Sequence, residues 1–224
     1  MSEPGPADPW NRMLSLYERA LAGRTSPEGM EAARLRRMDE AREKAERRVQ
    51  RLAAAGVPQG EHFLRLARNP SRPASPVTVP LFEALARRTG RTAMLVVLTG
   101  PAGTGKTAAM VRAIAEWTGE SLYLRAGALT QSADAARSYQ QSDARAALLA
   151  TMERVSLLVV DDVAETMPED AYHEMLVRRA DHGGVTLTAM RTNDAGLWPR
   201  TFYSADLAHY HRDNPHGFVI LRAV

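Results

Sequence analysis

Residues 93–107 constrain this chain more than any other stretch. Ala93-Met94-Leu95-Val96-Val97-Leu98-Thr99-Gly100 is an apolar run that stops at a glycine, and Pro101-Ala102-Gly103-Thr104-Gly105-Lys106-Thr107 follows at once. The sequence therefore reads as a strand, a glycine loop and the start of a helix, and the loop fits G-x-x-x-x-G-K-[ST], the phosphate-binding P-loop. Gly100, Gly103 and Gly105 allow tight bends, so that successive N–H groups point into one anion-sized hollow. The helix opening there adds the positive end of its dipole. Lys106 is expected to reach the β- and γ-phosphates of a nucleotide, and the Thr107 hydroxyl to hold Mg²⁺. Pro101, Ala102, Thr104 and Ala108 complete the expected cradle. The chain has 27 Arg but only two Lys, Lys44 and Lys106. That the loop keeps a Lys favours a compact ammonium in that slot over a planar guanidinium.

At 224 residues the chain is long enough for one full core plus an appendage. It has no cysteine, which excludes a disulfide framework and a Cys-based zinc site. No apolar run is long enough to cross a bilayer, and residues 1–10 lack a signal-peptide pattern, so the expected location is the cytoplasm, with no membrane partner. Charge is uneven. Residues 1–91 carry a balance of +6 and residues 92–224 a balance of −3. A basic front suggests nucleic acid or an acidic partner, and a solvated helical face explains it equally well.

Asp8-Pro9 is a helix start, with Trp10, Met13, Leu14, Tyr17 and Leu21 at helical spacing before Gly23. Ser26-Pro27 opens a second helix predicted to reach Ala55, with Leu35, Met38, Ala45, Val49 and Leu52 as a narrow stripe among alternating charges. Four prolines between Asn69 and Pro80 suggest a linker or strap. A short helix is expected over residues 81–88. Beyond it, strands at 93–100, 121–125, 155–162, 184–190 and 218–221 alternate with helices at 106–118, 133–154 and 169–180. Such alternation predicts a parallel five-stranded sheet in a three-layer α/β/α fold, with ligands at the carboxyl ends of the strands. The expected domains are a basic helical adaptor with its linker, 1–78, and a nucleotide-binding core, 79–224.

The strand at 155–162 ends in Asp161-Asp162. Asp161 is the expected Walker B carboxylate beside Mg²⁺, and Asp162 stands where many P-loop ATPases place a Glu that orients the attacking water. The P-loop and the Asp pair together point to a nucleoside triphosphatase far more specifically than either does alone.

GPAGTGKT, LLVVDDV and GVTLTAM together resemble the AAA+ ATPases of the DnaC/IstB type, the helicase loaders and transposition helpers. RRVQRLAAAGVPQ, residues 47–59, extends the resemblance toward the N-terminus, so that it covers about residues 45–224. The resemblance implies an ATP-binding, Mg²⁺-dependent ATPase that forms a homo-oligomer on ATP. It further implies a helicase or transposase partner, and single-stranded DNA as a further one. It also implies a polar sensor residue just after the fourth strand. Met190 stands at that position, leaving Thr188 or Asn193 as substitutes. An Arg shortly before the last strand is expected to act on a neighbouring subunit's nucleotide. Arg212 matches the spacing, and Arg200 is the second choice. No helical lid is expected after Val224. Two alternatives remain open: a nucleotide-dependent interaction protein with little turnover, and a P-loop kinase, although no Arg-rich lid segment stands out between the strands.

Overall fold

The computed structural model describes residues 26–69, 75–88, 90, 92–127, 142–163, 169–191, 210 and 217–223. The first expected helix, residues 133–141 of the helical stretch, and Asn193, Arg200 and Arg212 lie outside the described residues. The chain divides into two units, Met1–Arg47 and Arg48–Val224.

Helix α1, Pro27–Ala54, begins as its sequence dictates. The Ser26 Oγ accepts the Gly29 N–H at 3.0 Å, and Pro27 takes the first helical position, where no intrahelical N–H bond is lost. In the first unit the helix surface carries i,i+4 pairs, Arg42–Glu46 at 3.0 Å and Arg47–Glu43 at 3.3 Å. These pairs are exposed and worth only a few tenths of a kcal/mol each, about 0.3–0.5. Of the expected apolar stripe, Leu35 and Met38 are exposed and Leu52 is buried.

In the second unit the remaining elements are α2, Glu61–Arg68; α3, Thr78–Ala86; β1, Met94–Gly100; α4, Lys106–Glu116; β2, Ser121–Arg125; α5, Ser142–Arg154; β3, Leu157–Val163; α6, Glu169–His182; β4, Val185–Arg191; and β5, Phe218–Arg222. The five strands form one parallel sheet in the order β2-β3-β4-β1-β5. Side chains alternate between its faces. Met94, Val96, Leu98, Leu157, Val159, Val185 and Leu187 pack with residues of α3, α4 and the 52–67 segment. Leu95, Val97, Leu158 and Val160 pack with Met152 of α5 and Met175 and Leu176 of α6. The result is the three-layer α/β/α fold that the alternation predicts. Both sheet faces are covered, so the central strands are apolar throughout.

Two local differences from the sequence reading have physical causes. Helix α2 was not expected. It is eight residues long and flanked by turn residues, yet Ala67 is fully buried and Phe63 packs on the core. Helix α3 starts at Thr78, three residues before its predicted start, because Pro80 is tolerated in a first turn whose N–H groups have no intrahelical partner. The boundary between the two units falls at 47/48. Residues 48–68 belong with the core because they seal one face of it. Leu52, Ala55, Val57 and Ala67 are buried, the Tyr123 N–H donates to the Ala55 carbonyl at 2.7 Å, and Arg48 bridges to Glu116 at 2.8 Å.

A buried cation ties the opposite layer to the sheet. The Arg179 guanidinium is fully buried and donates to the carbonyls of Met152, Val155 at 3.0 Å and Val185 at 2.7 Å, and to the Thr186 Oγ1 at 2.8 Å. Burial pulls its pKa down to about 10, which leaves it charged at neutral pH.

Candidate nucleotide-binding site

The loop after β1 adopts the path its glycines allow. Gly100, Gly103 and Gly105 have φ of 140°, 82° and 83°, conformations that L side chains rarely adopt. Two of them also lack room for a Cβ. At Gly100 it would lie 2.2 Å from the Ala223 carbonyl oxygen, and at Gly105 it would lie 2.2 Å from the Ser75 Cβ. Gly105 is the N-cap of α4 and supplies no side-chain acceptor, so the first N–H groups of the helix are left for an anion.

Lys106 is buried, and its Nζ donates to the carbonyls of Gly100 and Pro101, both at 2.6 Å, and to the Thr104 Oγ1 at 3.2 Å. These acceptors offset the loss of water around the ammonium. They also hold it inside the loop, on a stem flexible enough to turn toward a phosphate.

Because β4 lies between β1 and β3, the backbones of the P-loop strand and the Asp161 strand are about 10 Å apart. Helix α4 closes that gap. The Thr107 Oγ1 donates to the Asp161 Oδ1 at 3.1 Å. Asp161 is itself buried. Its Oδ1 also accepts the Asp162 N–H at 2.9 Å, and its Oδ2 accepts the Tyr123 hydroxyl at 2.7 Å. Burial, and then the bond to Asp161, push the Tyr123 phenol well above its ordinary pKa, so Tyr123 stays a donor.

Asp162 is exposed and has φ 60°, the left-handed region that Asp tolerates better than most residues. The reason is a register shift between Val160 and Val163, where β3 bulges against β4. A bulge of this kind re-aims a side chain, here at the mouth of the site.

A cavity of about 490 Å³ opens over this group. Of the residues expected at the site, Ala102, Gly103, Gly105, Lys106, Thr107, Ala108, Asp161 and Asp162 line it. Pro101 and Thr104 enter through their bonds to Lys106. Gly100 also enters through its carbonyl on Lys106. Thr188 does not line it. Its side chain is fully buried in the sheet between Val97 and Val160, while Ala189 and Met190, nearer the strand end, form the wall. Arg212 lies outside the described residues.

Four wall residues were not foreseen: His62, Phe63, Tyr123 and Arg125. The first two come from the unexpected α2. The others follow from register, since Arg125 lies directly beside Asp161 in the parallel pair.

The donor set suits Mg²⁺. Among the described residues no cluster of three or more acidic, His or Cys side chains could hold a metal ion. One hydroxyl and one carboxylate beside a phosphate cradle match the way Mg²⁺ is held, by one or two protein oxygens plus substrate phosphates and retained water.

No family model matches the chain, and no curated protein matches it. Solved structures do. The crystal structure of DnaI superposes with a TM-score of 0.52 at 15% identity, over 75% of this chain and 95% of that one. A DNA replication initiation factor gives 0.48 at 18% identity, over 73% and 46%, and AMPPCP-bound DnaA from Aquifex aeolicus gives 0.48 at 14%, over 66% and 46%. The chain therefore spans less than half the length of those two structures. It shares with DnaI a three-layer α/β/α P-loop fold. Among the described residues no helix is long and apolar enough to cross a membrane.

Proposed function

We propose that this chain binds ATP with Mg²⁺ and hydrolyses it, as an AAA+ switch of the DnaC/IstB type. The observation that carries the reading is the 3.1 Å contact between Thr107 and Asp161, which joins the P-loop helix to the carboxylate two strands away. The loop N–H groups and Lys106 hold the phosphates. Thr107 and Asp161 would hold Mg²⁺, which supplies charge neutralisation at the β- and γ-oxygens. Asp162 orients the attacking water. Arg212 is the proposed residue acting on a neighbouring subunit, so ATP favours a homo-oligomer. The basic N-terminal region, 1–78 in the sequence reading, recruits the partner: a helicase, a transposase or single-stranded DNA. On DNA, salt should weaken binding with a slope of about −0.7 per phosphate contacted.

A second reading, ATP binding with little turnover, is favoured by one feature. Met190 lines the cavity where the resemblance expects a polar sensor, and Thr188, one of the two expected substitutes, is buried away from it.

The test is Lys106→Ala against wild type, titrated with a fluorescent ATP analogue, beside a phosphate-release assay on wild type. Binding should be lost or greatly weakened in the variant. Equal affinity would refute the P-loop assignment, and tight binding without phosphate release would select the second reading.

A further inference from the structure

The carboxylate of Asp161 is held by more than the P-loop. Tyr123 projects from the middle of β2, is buried, and reaches across to the end of β3. Its hydroxyl donates to the Asp161 Oδ2 at 2.7 Å. On the other oxygen, Oδ1, the Asp162 N–H at 2.9 Å and the Thr107 hydroxyl at 3.1 Å converge. A carboxylate so held cannot rotate without breaking a buried bond, and the oxygen left facing α4 is the one beside Thr107. The acceptor is buried, so a lost donor would not be replaced freely by water.

We propose that Tyr123 is a positioning residue for the divalent-cation site, fixing the rotamer of Asp161 so that Oδ1 and the Thr107 hydroxyl face the cation together. The inference rests on the nucleotide reading above and adds a residue to it. Packing places Tyr123 there in any case. It sits in the core between α4, β3 and the 52–57 segment, and its backbone N–H is anchored on Ala55. Phenylalanine would satisfy all of that packing. What phenylalanine lacks is the hydroxyl, whose partners are the Asp161 carboxylate and the neighbouring Arg125 side chain. Partners that orient a metal-binding carboxylate typically account for 10–100-fold of metal affinity.

The experiment compares wild type with Tyr123→Phe in the full chain. A fluorescent ATP analogue is titrated in EDTA and then at fixed nucleotide over a series of Mg²⁺ concentrations, and thermal stability is measured beside it. The Mg²⁺ midpoint of the variant should rise by about 10-fold or more, with affinity in EDTA unchanged. Asp161→Asn should shift the midpoint at least as far, and adding Tyr123→Phe to it should shift it little further. An unchanged midpoint in Tyr123→Phe overturns the proposal, whether or not the variant melts earlier, because a structural role alone moves stability and not the Mg²⁺ midpoint. If wild type binds no nucleotide, or binds it equally with and without Mg²⁺, the nucleotide reading itself has failed, and the two failures are distinct.

Discussion

Asp162 offers the sharpest separation of backbone from chemistry. Among the described residues it is the only one other than glycine at positive φ, and it lines the cavity. An ordinary L residue pays about 1–2 kcal/mol in the left-handed region, Asp and Asn pay less, and Gly pays almost nothing sterically. Asp162→Asn should therefore change stability by less than about 0.5 kcal/mol. Asp162→Ala should be less stable than Asp162→Gly by about 1 kcal/mol. The Ala–Gly comparison is the informative one, because both lose whatever the carboxylate touches and their difference isolates the backbone. Glycine's larger unfolded-state entropy, about 0.5–1 kcal/mol, works against this difference, so any clear advantage of Gly is a lower bound on the strain. Turnover should behave otherwise. All three variants lack the carboxylate and should hydrolyse ATP about 10²–10⁴-fold more slowly, with nucleotide binding nearly intact, since water orientation acts in the transition state. Urea denaturation without nucleotide reads the first effect, and phosphate release with analogue binding reads the second. If Ala proves more stable than Gly by the full entropic difference of about 0.5–1 kcal/mol, the left-handed backbone costs nothing and the bulge is no device. If all three variants turn over like wild type, the carboxylate orients no water.

Two further outcomes test the frame around the site. Gly184→Ala places a Cβ 2.5 Å from the Arg179 Nη2, so the guanidinium must retreat by about 1 Å to reach ordinary contact. Weakening one or two buried charge-assisted bonds should cost about 2–5 kcal/mol, read by urea unfolding. A change below about 0.5 kcal/mol would mean that this cation is not held by those carbonyls. For truncation, a chain starting at Arg48 should fold and bind the ATP analogue, whereas one starting at Ser75 should not. The shorter chain loses Leu52 and Val57, about 1.5–3 kcal/mol each, together with the Ala55 anchor for β2. A stably folded 75–224 fragment, seen by circular dichroism and analogue binding, would refute this and support the expected boundary at 78/79.

What the sequence made legible was local in character. A glycine loop between an apolar run and a helix is written in consecutive residues, and so is a strand ending in two carboxylates. Gly100 to Ala108, Asp161 and Asp162 could be read without knowing any strand order. The order itself was not legible, yet it decides what Asp161 touches. Tyr123 matters because β2 pairs with β3 in a register that sets Arg125 against Asp161, and nothing within Ser121–Arg125 encodes that pairing. Helix α2 failed for a related reason. Eight residues cannot form a stable helix alone, and Phe63 and Ala67 gain their stabilisation only from α4 and the sheet beneath. Thr188 is the opposite case, because the sequence did hold the answer. It lies two residues before Met190 on an alternating strand, so the two share a face, and about 7 Å separates them along it. A residue that far below the strand end stays in the core when its neighbour reaches the cavity, as the burial of Thr188 and the exposure of the cavity to Met190 bear out. Polarity made Thr188 a substitute sensor beside Asn193; at the strand end stands Met190, whose thioether cannot donate a hydrogen bond to a phosphate or a water. Any polar contact made there must come from another side chain, and of the two expected substitutes Asn193 is the one left, outside the described residues.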